Sequence, residues 1–237
     1  MGQLRRFFAL PEEINGNKIF LASEYRHIAK VLRLRPGNEV VVTTGDGVDH
    51  FCRIESIGSD VVELSVTEFS QNPAELAADV TLFQGVIKGS GMDWLTEKAV
   101  ELGVNGIVPF VSEHTVADCG EAKAQRLTKI AREATKQCGR ARIVNVGAAV
   151  SFKQMCGMLG GFDDVIFCNE RGGKPLSKAS LGGKKIAVIV GSEGGFSQNE
   201  AQTLSELAQS VTLGKRILRA ETAGIYALSV IAEALNV

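Results

Sequence analysis

The pattern of hydrophobic and polar residues changes near residue 73. Before that point, short runs rich in β-branched residues predict strands, for example Glu39–Thr43 and Asp60–Thr67. Gly45-Asp-Gly47 separates two such runs and predicts a hairpin turn. One helix interrupts the strands, because Ser23 is placed to cap a helix over Glu24–Leu34. Residues 1–72 are therefore expected to form a small β-rich domain.

After this point, apolar runs alternate with amphipathic segments. The predicted strands are Val80–Ile87, Gly106–Val111, Asp164–Cys168, Lys185–Val190 and Ser210–Leu213. The predicted helices are Met92–Leu102, Ala122–Cys138, Phe152–Leu159, Gln198–Ala208 and Glu221–Leu235. Strands flanked by helices predict a parallel sheet that is covered on both faces. Residues 73–237 are therefore expected to form an α/β domain.

The glycine-rich sequence Gly191-Ser-Glu-Gly-Gly-Phe-Ser197 is the sharpest local feature of this α/β domain. It follows a buried apolar strand and leads into a helix for which Ser197 and Glu200 form a capping box. Glycines at the carboxyl end of a parallel strand let the backbone approach a small molecule closely. The spacing matches neither a phosphate-binding P-loop nor the dinucleotide fingerprint. A small-molecule site is favoured over a simple turn.

A second glycine-containing segment, Lys88-Gly-Ser-Gly91, also lies between a strand and a helix. It begins like a dinucleotide fingerprint, but Trp94 occupies the third glycine position. An oxidoreductase with a nucleotide cofactor remains only a minor alternative. The common class of methyltransferase also carries an early glycine-rich loop, whereas the stronger loop here is near the C-terminus.

Cations concentrate in three places although the formal net charge is only −1. Residues 1–35 hold seven cationic and three acidic side chains, and residues 121–142 hold seven and two, which gives net charges of +4 and +5. Lys215, Arg216 and Arg219 precede the last helix, where an anionic ligand would be favourable. Five cations are expected to line one face of a helix: Arg126, Lys129, Arg132, Lys136 and Arg140. This distribution favours binding to a phosphate backbone.

Several protein classes are excluded by composition. Hydrophobic residues make up 45% and charged residues 22%, which are ordinary values for a globular protein. No uncharged run approaches the roughly 20 residues of a membrane-spanning helix, and no signal peptide is apparent. The five cysteines lack a CxxC pair, so a reducing cytoplasmic location is expected. The three histidines share no ligand spacing, so no metal site is expected.

Ordered motifs along nearly the whole chain resemble the ribosomal small-subunit methyltransferase E (RsmE) family of the SPOUT superfamily. The motifs are Arg5-Arg-Phe-Phe8, His27–Gly37, Lys88-Gly89, Met92–Val104, Arg132–Arg140, Gly191–Ser197 and Leu213–Ala223. Ser192 stands where the family usually has proline, and Ser90-Gly91 where it usually has charged residues. The first departure is expected to reduce the rigidity of the loop, and the second argues against a charge-based RNA contact at positions 90 and 91.

The resemblance implies methylation of N3 of one uridine in 16S rRNA with S-adenosylmethionine as cofactor. It implies a PUA-like β-barrel domain that helps to bind RNA, followed by a SPOUT-type α/β domain with a C-terminal trefoil knot. It also implies a homodimer with the cofactor pockets near the subunit interface. The competing hypothesis is a non-catalytic RNA-binding factor for ribosome assembly on the same fold, which loss of the glycine loop would favour.

The resemblance also implies the roles of individual residues. The predicted cofactor-binding residues are Gly191, Glu193, Gly194, Gly195, Leu213, Gly214, Ile217, Leu218 and Thr222. Arg219 is a candidate for stabilising negative charge on the substrate, and either Glu193 or Glu221 is a candidate base for the N3 proton. The predicted RNA contacts are Arg5, Arg6, Arg33, Lys88, Arg126, Lys129, Arg132 and Arg140.

Overall fold

The structure of the chain, a computed structural model, describes residues 4–235. The chain packs as two compact units. The first unit comprises the residues up to Glu75 together with Thr135–Ile143, and the second comprises Leu76–Ala134 and the residues from Val144 onward. The sequence pattern assigned 135–143 to the α/β domain, whereas the structure places this segment with the β-rich unit.

Six strands form the sheet of the first unit. They are β1 (Arg5–Phe8), β2 (Ile14–Asn15), β3 (Lys18–Leu21), β4 (Glu39–Thr43), β5 (Val48–Ile57) and β6 (Val62–Gln71). Their order is β1-β4-β5-β6-β3-β2, and only β1 and β4 pair in parallel. The predicted hairpin between β4 and β5 is confirmed, with φ angles of 91° at Gly45 and 93° at Gly47. Buried side chains that include Phe7, Leu21 and Val40 form the core.

The helix predicted over Glu24–Leu34 is shorter than expected and is a π-helix over Arg26–Val31. The prediction that Ser23 caps it is wrong. The Ser23 backbone N–H and hydroxyl donate instead to the Glu13 carboxylate, at 2.8 and 2.9 Å. Burial acts to raise the pKa of Glu13, but hydrogen bonds from Ser23, Leu10 and Ala22 outweigh it and lower that pKa.

Polar contacts join the segment 135–143 to the rest of the first unit. Asn72 Nδ2 donates to the carbonyl of Gly139 at 2.8 Å, and Thr43 Oγ1 donates to the carbonyl of Ala141 at 3.1 Å. Arg140 is 2% exposed, and its Nη2 lies 2.7 Å from Glu75 Oε2. These partners are separated by 65 to 98 residues, so no local pattern could have identified them.

The second unit contains an entirely parallel sheet with helices on both faces, as predicted. Its strands are β7 (Asp79–Gly85), β8 (Gly106–Val111), β9 (Asn145–Val146), β10 (Val150–Ser151), β11 (Asp164–Cys168), β12 (Lys174–Pro175), β13 (Lys185–Val190) and β14 (Gln209–Thr212). The order is β10-β8-β7-β13-β11-β14-β12, with β9 beside β8. Its helices are α1 (Gly91–Glu101), α2 (Glu121–Cys138, whose last turn belongs to the first unit), α3 (Phe152–Met158), α4 (Gln198–Leu207) and α5 (Ala220–Leu235).

The two faces of this sheet are covered by different helices. Phe83 and Phe167 pack with residues of α3 and α4, such as Met155 and Leu204. The opposite face is covered by α1 and α5, which pack closely at Gly224, where a Cβ atom would lie 2.9 Å from Leu95 Cδ1. Among residues 4–235, no helix is long and apolar enough to cross a bilayer.

Candidate functional site

A cavity of about 1100 Å³ lies at one edge of the sheet in the second unit. The parallel strands β7, β13, β11 and β14 all end at this edge, and the segments that follow them line the cavity. Small molecules bind to open α/β sheets at this position. Eight of the nine residues predicted to bind the cofactor line it: Gly191, Glu193, Gly195, Leu213, Gly214, Ile217, Leu218 and Thr222.

The glycine loop turns sharply between β13 and α4. Gly195 has a φ of 65° and donates its N–H to the carbonyl of Ser192 at 3.0 Å. A Cβ atom at position 195 would lie 2.7 Å from Glu170 Oε1, so a side chain there would meet this carboxylate. The predicted capping box is confirmed, because Ser197 and Glu200 exchange the expected hydrogen bonds at the start of α4.

Gly194 is the one predicted cofactor residue that does not line the cavity. A Cβ atom at this position would lie 2.7 Å from both the Cβ and the carbonyl oxygen of His114. Its lack of a side chain therefore permits close packing against the chain after β8. The structure gives Gly194 a packing role beside His114, and its contact with the cofactor stays a prediction.

The segment before α5 adds both apolar and charged groups to the cavity wall. Leu213 and Leu218 are half-buried, and Ile217 is 98% exposed. Arg219 is exposed, and its carbonyl accepts the N–H of Ala223 at 2.8 Å in the first turn of α5. Its guanidinium makes no ion pair with any residue of the described chain and is available to an anionic group.

The two candidate bases lie in different surroundings. Glu193 Oε1 accepts the backbone N–H of Lys88 at 2.9 Å, so this carboxylate connects the glycine loop to the segment after β7. Glu221 is half-exposed in the first turn of α5, where a negative charge is favourable. Both line the cavity. The hydrogen bond gives Glu193 a structural role that the sequence did not reveal.

The last residue of β11 and the segment after it contribute three lining residues that the sequence pattern did not identify: Cys168, Asn169 and Glu170. Asn169 donates its N–H to the carbonyl of Val211 at 2.8 Å, which holds the segment beside the end of β14. Burial raises the pKa of the Cys168 thiol to about 12, so it remains protonated at neutral pH. The rule that ligands bind at the carboxyl ends of parallel strands could have identified this segment.

Two of the residues predicted to contact RNA, Arg6 and Arg140, form internal ion pairs. Arg6 makes a bidentate pair with Asp49, in which Arg6 Nη2 lies 2.9 Å from Asp49 Oδ2, and the two side chains are 10% and 6% exposed. Arg140 is paired with Glu75 and is almost fully buried. A phosphate could reach either guanidinium only by displacing its carboxylate.

The predicted basic face of α2 is also divided by internal pairs. Lys136 lies 2.6 Å from Glu24 with both side chains about nine-tenths buried, and Arg126 pairs with Asp93 while remaining half-exposed. Arg132 is half-buried, whereas Lys129 is exposed. The other predicted contacts, Arg5, Arg33 and Lys88, are exposed. Arg5 and Arg33 belong to the first unit, and Lys88 and Lys129 to the second.

Comparison with known protein families gives matches over both units. The RNA methyltransferase domain family matches residues 74–232, and the RNA methyltransferase PUA domain family matches residues 22–67. The chain is 32% identical over 222 residues to the ribosomal RNA small subunit methyltransferase E of Bacillus subtilis, which covers 88% of this chain and 86% of the relative. It is 29% identical to the enzyme of the same name from Aquifex aeolicus, over 93% of this chain and 96% of the relative.

Solved structures give the same result. A ribosomal RNA small subunit methyltransferase E from Neisseria gonorrhoeae bound to S-adenosyl methionine superimposes with a TM-score of 0.87 at 30% identity, over 98% of each chain. A putative methyltransferase from Legionella pneumophila in complex with the bound cofactor SAM superimposes with a TM-score of 0.83 at 26% identity, also over 98% of each chain.

Proposed function

The chain belongs to the ribosomal RNA small subunit methyltransferase E family, and we propose that it methylates N3 of a uridine in 16S rRNA with S-adenosylmethionine. The observation that carries this proposal is the cavity, which brings the glycine loop and the cationic segment before α5 to one sheet edge. The non-catalytic alternative is disfavoured because this loop is intact.

The residues around the cavity suit S-adenosylmethionine. Leu213, Ile217 and Leu218 offer apolar surface for the adenine ring. The carboxylates of Glu170 and Glu193 and the amide of Asn169 offer partners for hydroxyl and ammonium groups. When bound, the cofactor supplies an electrophilic methyl group on sulfur.

The reaction forms a bond between uridine N3 and the methyl carbon and breaks the bond between that carbon and sulfur. The N3 proton must leave, and negative charge develops on the base as it does so. We assign the stabilisation of that charge to Arg219, because its exposed guanidinium lines the cavity. The protein contributes mainly by holding both reactants in line.

The proposed function is tested by mass mapping of methylated nucleosides in 16S rRNA from cells with and without this protein. Deletion is expected to remove a single N3-methyluridine, and re-expression of the chain is expected to restore it. An unchanged methylation pattern after deletion would contradict the proposal.

Replacing Gly195 with alanine is expected to weaken S-adenosylmethionine binding roughly tenfold, because a left-handed conformation costs about 1–2 kcal/mol at a residue with a Cβ atom. The added atom also meets Glu170. Calorimetry measures the Kd for S-adenosylmethionine of the variant and of the wild type. Gly160→Ala is the matched control, since a Cβ there has no heavy atom within 4 Å. Equal affinity of the Gly195 variant and the wild type would show that the loop does not form the pocket.

Replacing Glu193 with glutamine is expected to leave the single-turnover rate within about threefold of the wild type. Glutamine keeps an oxygen that can accept the Lys88 N–H, whereas Glu193→Ala removes it and is expected to weaken cofactor binding. Glu221 then remains as the candidate proton acceptor. A loss of rate in the glutamine variant at saturating cofactor would instead assign the base to Glu193.

Exposed cations on each unit are proposed to contact RNA phosphates: Arg5, Arg33, Lys88 and Lys129. Lys129→Ala is expected to reduce the slope of log affinity against log salt by about 0.7–0.9, the value for one lost phosphate contact. Filter binding of RNA at several salt concentrations measures this slope. Lys153→Ala, at an exposed lysine of α3, is expected to leave the slope unchanged. An unchanged slope for Lys129→Ala would show that this lysine is solvated and does not contact an RNA phosphate.

A cytoplasmic homodimer with a trefoil knot in the second unit is also proposed, from the family relationship. Trp94 on α1 and Tyr226 on α5 are each 46% exposed, and two such aromatic side chains on neighbouring helices suit an interface between copies. Light scattering after size exclusion is expected to give twice the chain mass of 25.3 kDa. A single-chain mass at micromolar concentration would contradict the dimer.

A further inference from the structure

Gln84 is a fully buried polar residue near the end of β7, between β13 and β8. Its Nε2 donates to the carbonyl of Gly85 at 3.1 Å and to the carbonyl of Gly191 at 3.0 Å. Both neighbours on that side are carbonyl oxygens, which only accept hydrogen bonds. The NH₂ group of the amide must therefore face them. One side chain thus holds the first residue of the glycine loop.

The contact between β7 and the glycine loop is very close at this point. A Cβ atom at position 85 would lie 2.3 Å from the backbone nitrogen of Ser192. The loop therefore lies directly on the end of β7. Because a peptide group is planar, the hydrogen bond to the Gly191 carbonyl also fixes the direction of the Ser192 N–H. The remainder of the turn, closed by the bond from Gly195 to Ser192, starts from this peptide.

The oxygen of the Gln84 side-chain amide is in a different environment from the nitrogen. Its Oε1 is buried and has no hydrogen-bond partner among the described residues, and a Cβ atom on Gly224 of α5 would lie 3.1 Å from it. A buried carbonyl without a partner destabilises a protein by about 1–3 kcal/mol. An apolar residue of the same length would avoid this penalty. The amide therefore contributes little to stability through Oε1, and its effect lies in the two bonds donated by Nε2.

We propose that Gln84 is a positioning residue, which holds the Gly191–Ser192 peptide in the orientation that the cofactor pocket requires. This inference rests on the proposed function, because it concerns affinity for S-adenosylmethionine. Gln84 does not line the cavity and acts through the glycine loop. It should therefore affect cofactor binding more than the chemical step.

The test compares Gln84→Met with the wild type. Methionine keeps the length of the side chain and lacks both donors. The Kd and KM for S-adenosylmethionine are expected to rise roughly tenfold, while kcat at saturating cofactor and KM for RNA stay within about twofold. The melting temperature is expected to change by less than about 4 °C.

Two control variants separate positioning from general destabilisation. Thr96→Val removes another buried polar atom without a described partner, Thr96 Oγ1, on α1. Val80→Ala opens a small cavity at the other end of β7. Both are expected to keep the wild-type Kd even where the melting temperature falls. If Val80→Ala raised the Kd as much as Gln84→Met, the effect would be one of stability and the inference would fail.

A spectroscopic measurement on the wild type keeps the inference testable if Gln84→Met does not fold. The two side-chain amide protons of Gln84 are expected to exchange slowly with solvent and to shift when S-adenosylmethionine is added. Rapid exchange would overturn the inference. If the wild type itself failed to bind S-adenosylmethionine, the proposed function would fail. A Gln84→Met protein that bound as tightly as the wild type would refute only the role of Gln84.

Discussion

Replacing Arg140 with alanine is expected to lower the free energy of unfolding by roughly 3–5 kcal/mol. The Arg140 and Glu75 side chains are only 2% and 11% exposed. Removal of the guanidinium leaves the Glu75 carboxylate, among the described residues, with the N–H groups of Ala141 and Arg142 as its remaining partners, at 3.2 and 3.1 Å. A buried charge that loses its partner is much more destabilising than the loss of an exposed ion pair.

Urea unfolding followed by circular dichroism measures this effect. Arg5→Ala, at an exposed arginine of the same unit, is the matched control and is expected to change stability by less than about 0.5 kcal/mol. The folded Arg140 variant should keep the salt dependence of RNA binding, because this guanidinium does not reach the surface. A stability loss below about 1 kcal/mol together with a reduced salt slope would restore the original prediction of an RNA contact.

Replacing Arg219 with alanine is expected to slow single-turnover methylation by roughly 10²–10³-fold at saturating cofactor and RNA. The backbone bond at the start of α5 is retained, because the acceptor for Ala223 is the carbonyl of residue 219. The Kd for S-adenosylmethionine should therefore remain within about threefold of the wild type. The expected loss is confined to the step in which charge develops on the uracil ring.

Rapid-quench measurement with a 16S rRNA fragment tests this expectation. Lys215→Ala removes a cation from the same exposed segment and is expected to change the rate by less than about threefold. If both variants slowed the reaction equally, the segment would act through its total charge. If neither did, Arg219 would have no catalytic role.

Elements that depend on neighbouring residues could be predicted from the sequence. The bounds of β8, β11 and β13 match the prediction residue for residue, since each is an apolar run between turn signals. The Ser197–Glu200 capping box was also predicted, because both of its hydrogen bonds span three residues. The prediction that Ser23 caps a helix over Glu24–Leu34 was wrong because a residue outside the local pattern determines the hydrogen bonds of Ser23. The distant Glu13 binds the hydroxyl that would have capped it.

The charged residues show where local patterns stop being informative. Regular spacing predicted one basic helix face for binding a phosphate backbone. Instead, Arg126 and Lys136 of α2, and Arg140 beyond its end, meet carboxylates that are 33, 112 and 65 residues away, respectively. Whether a cation faces solvent or a buried partner depends on tertiary packing. Asn169 and Glu170 were missed for a similar reason: they follow a predicted strand, but no local pattern shows that this strand end lies beside the glycine loop.

The assignment of residues 135–143 to the first unit has a consequence for biosynthesis. Nascent chains commonly fold domain by domain from the N-terminus. Here three residues of the N-terminal part, Thr43, Asn72 and Glu75, find their partners in the segment 135–143. These partners are absent until well over half of the chain has emerged from the ribosome. A nascent fragment that ends at residue 75 should therefore be open to proteolysis, and addition of the sequence through residue 143 should begin to protect it.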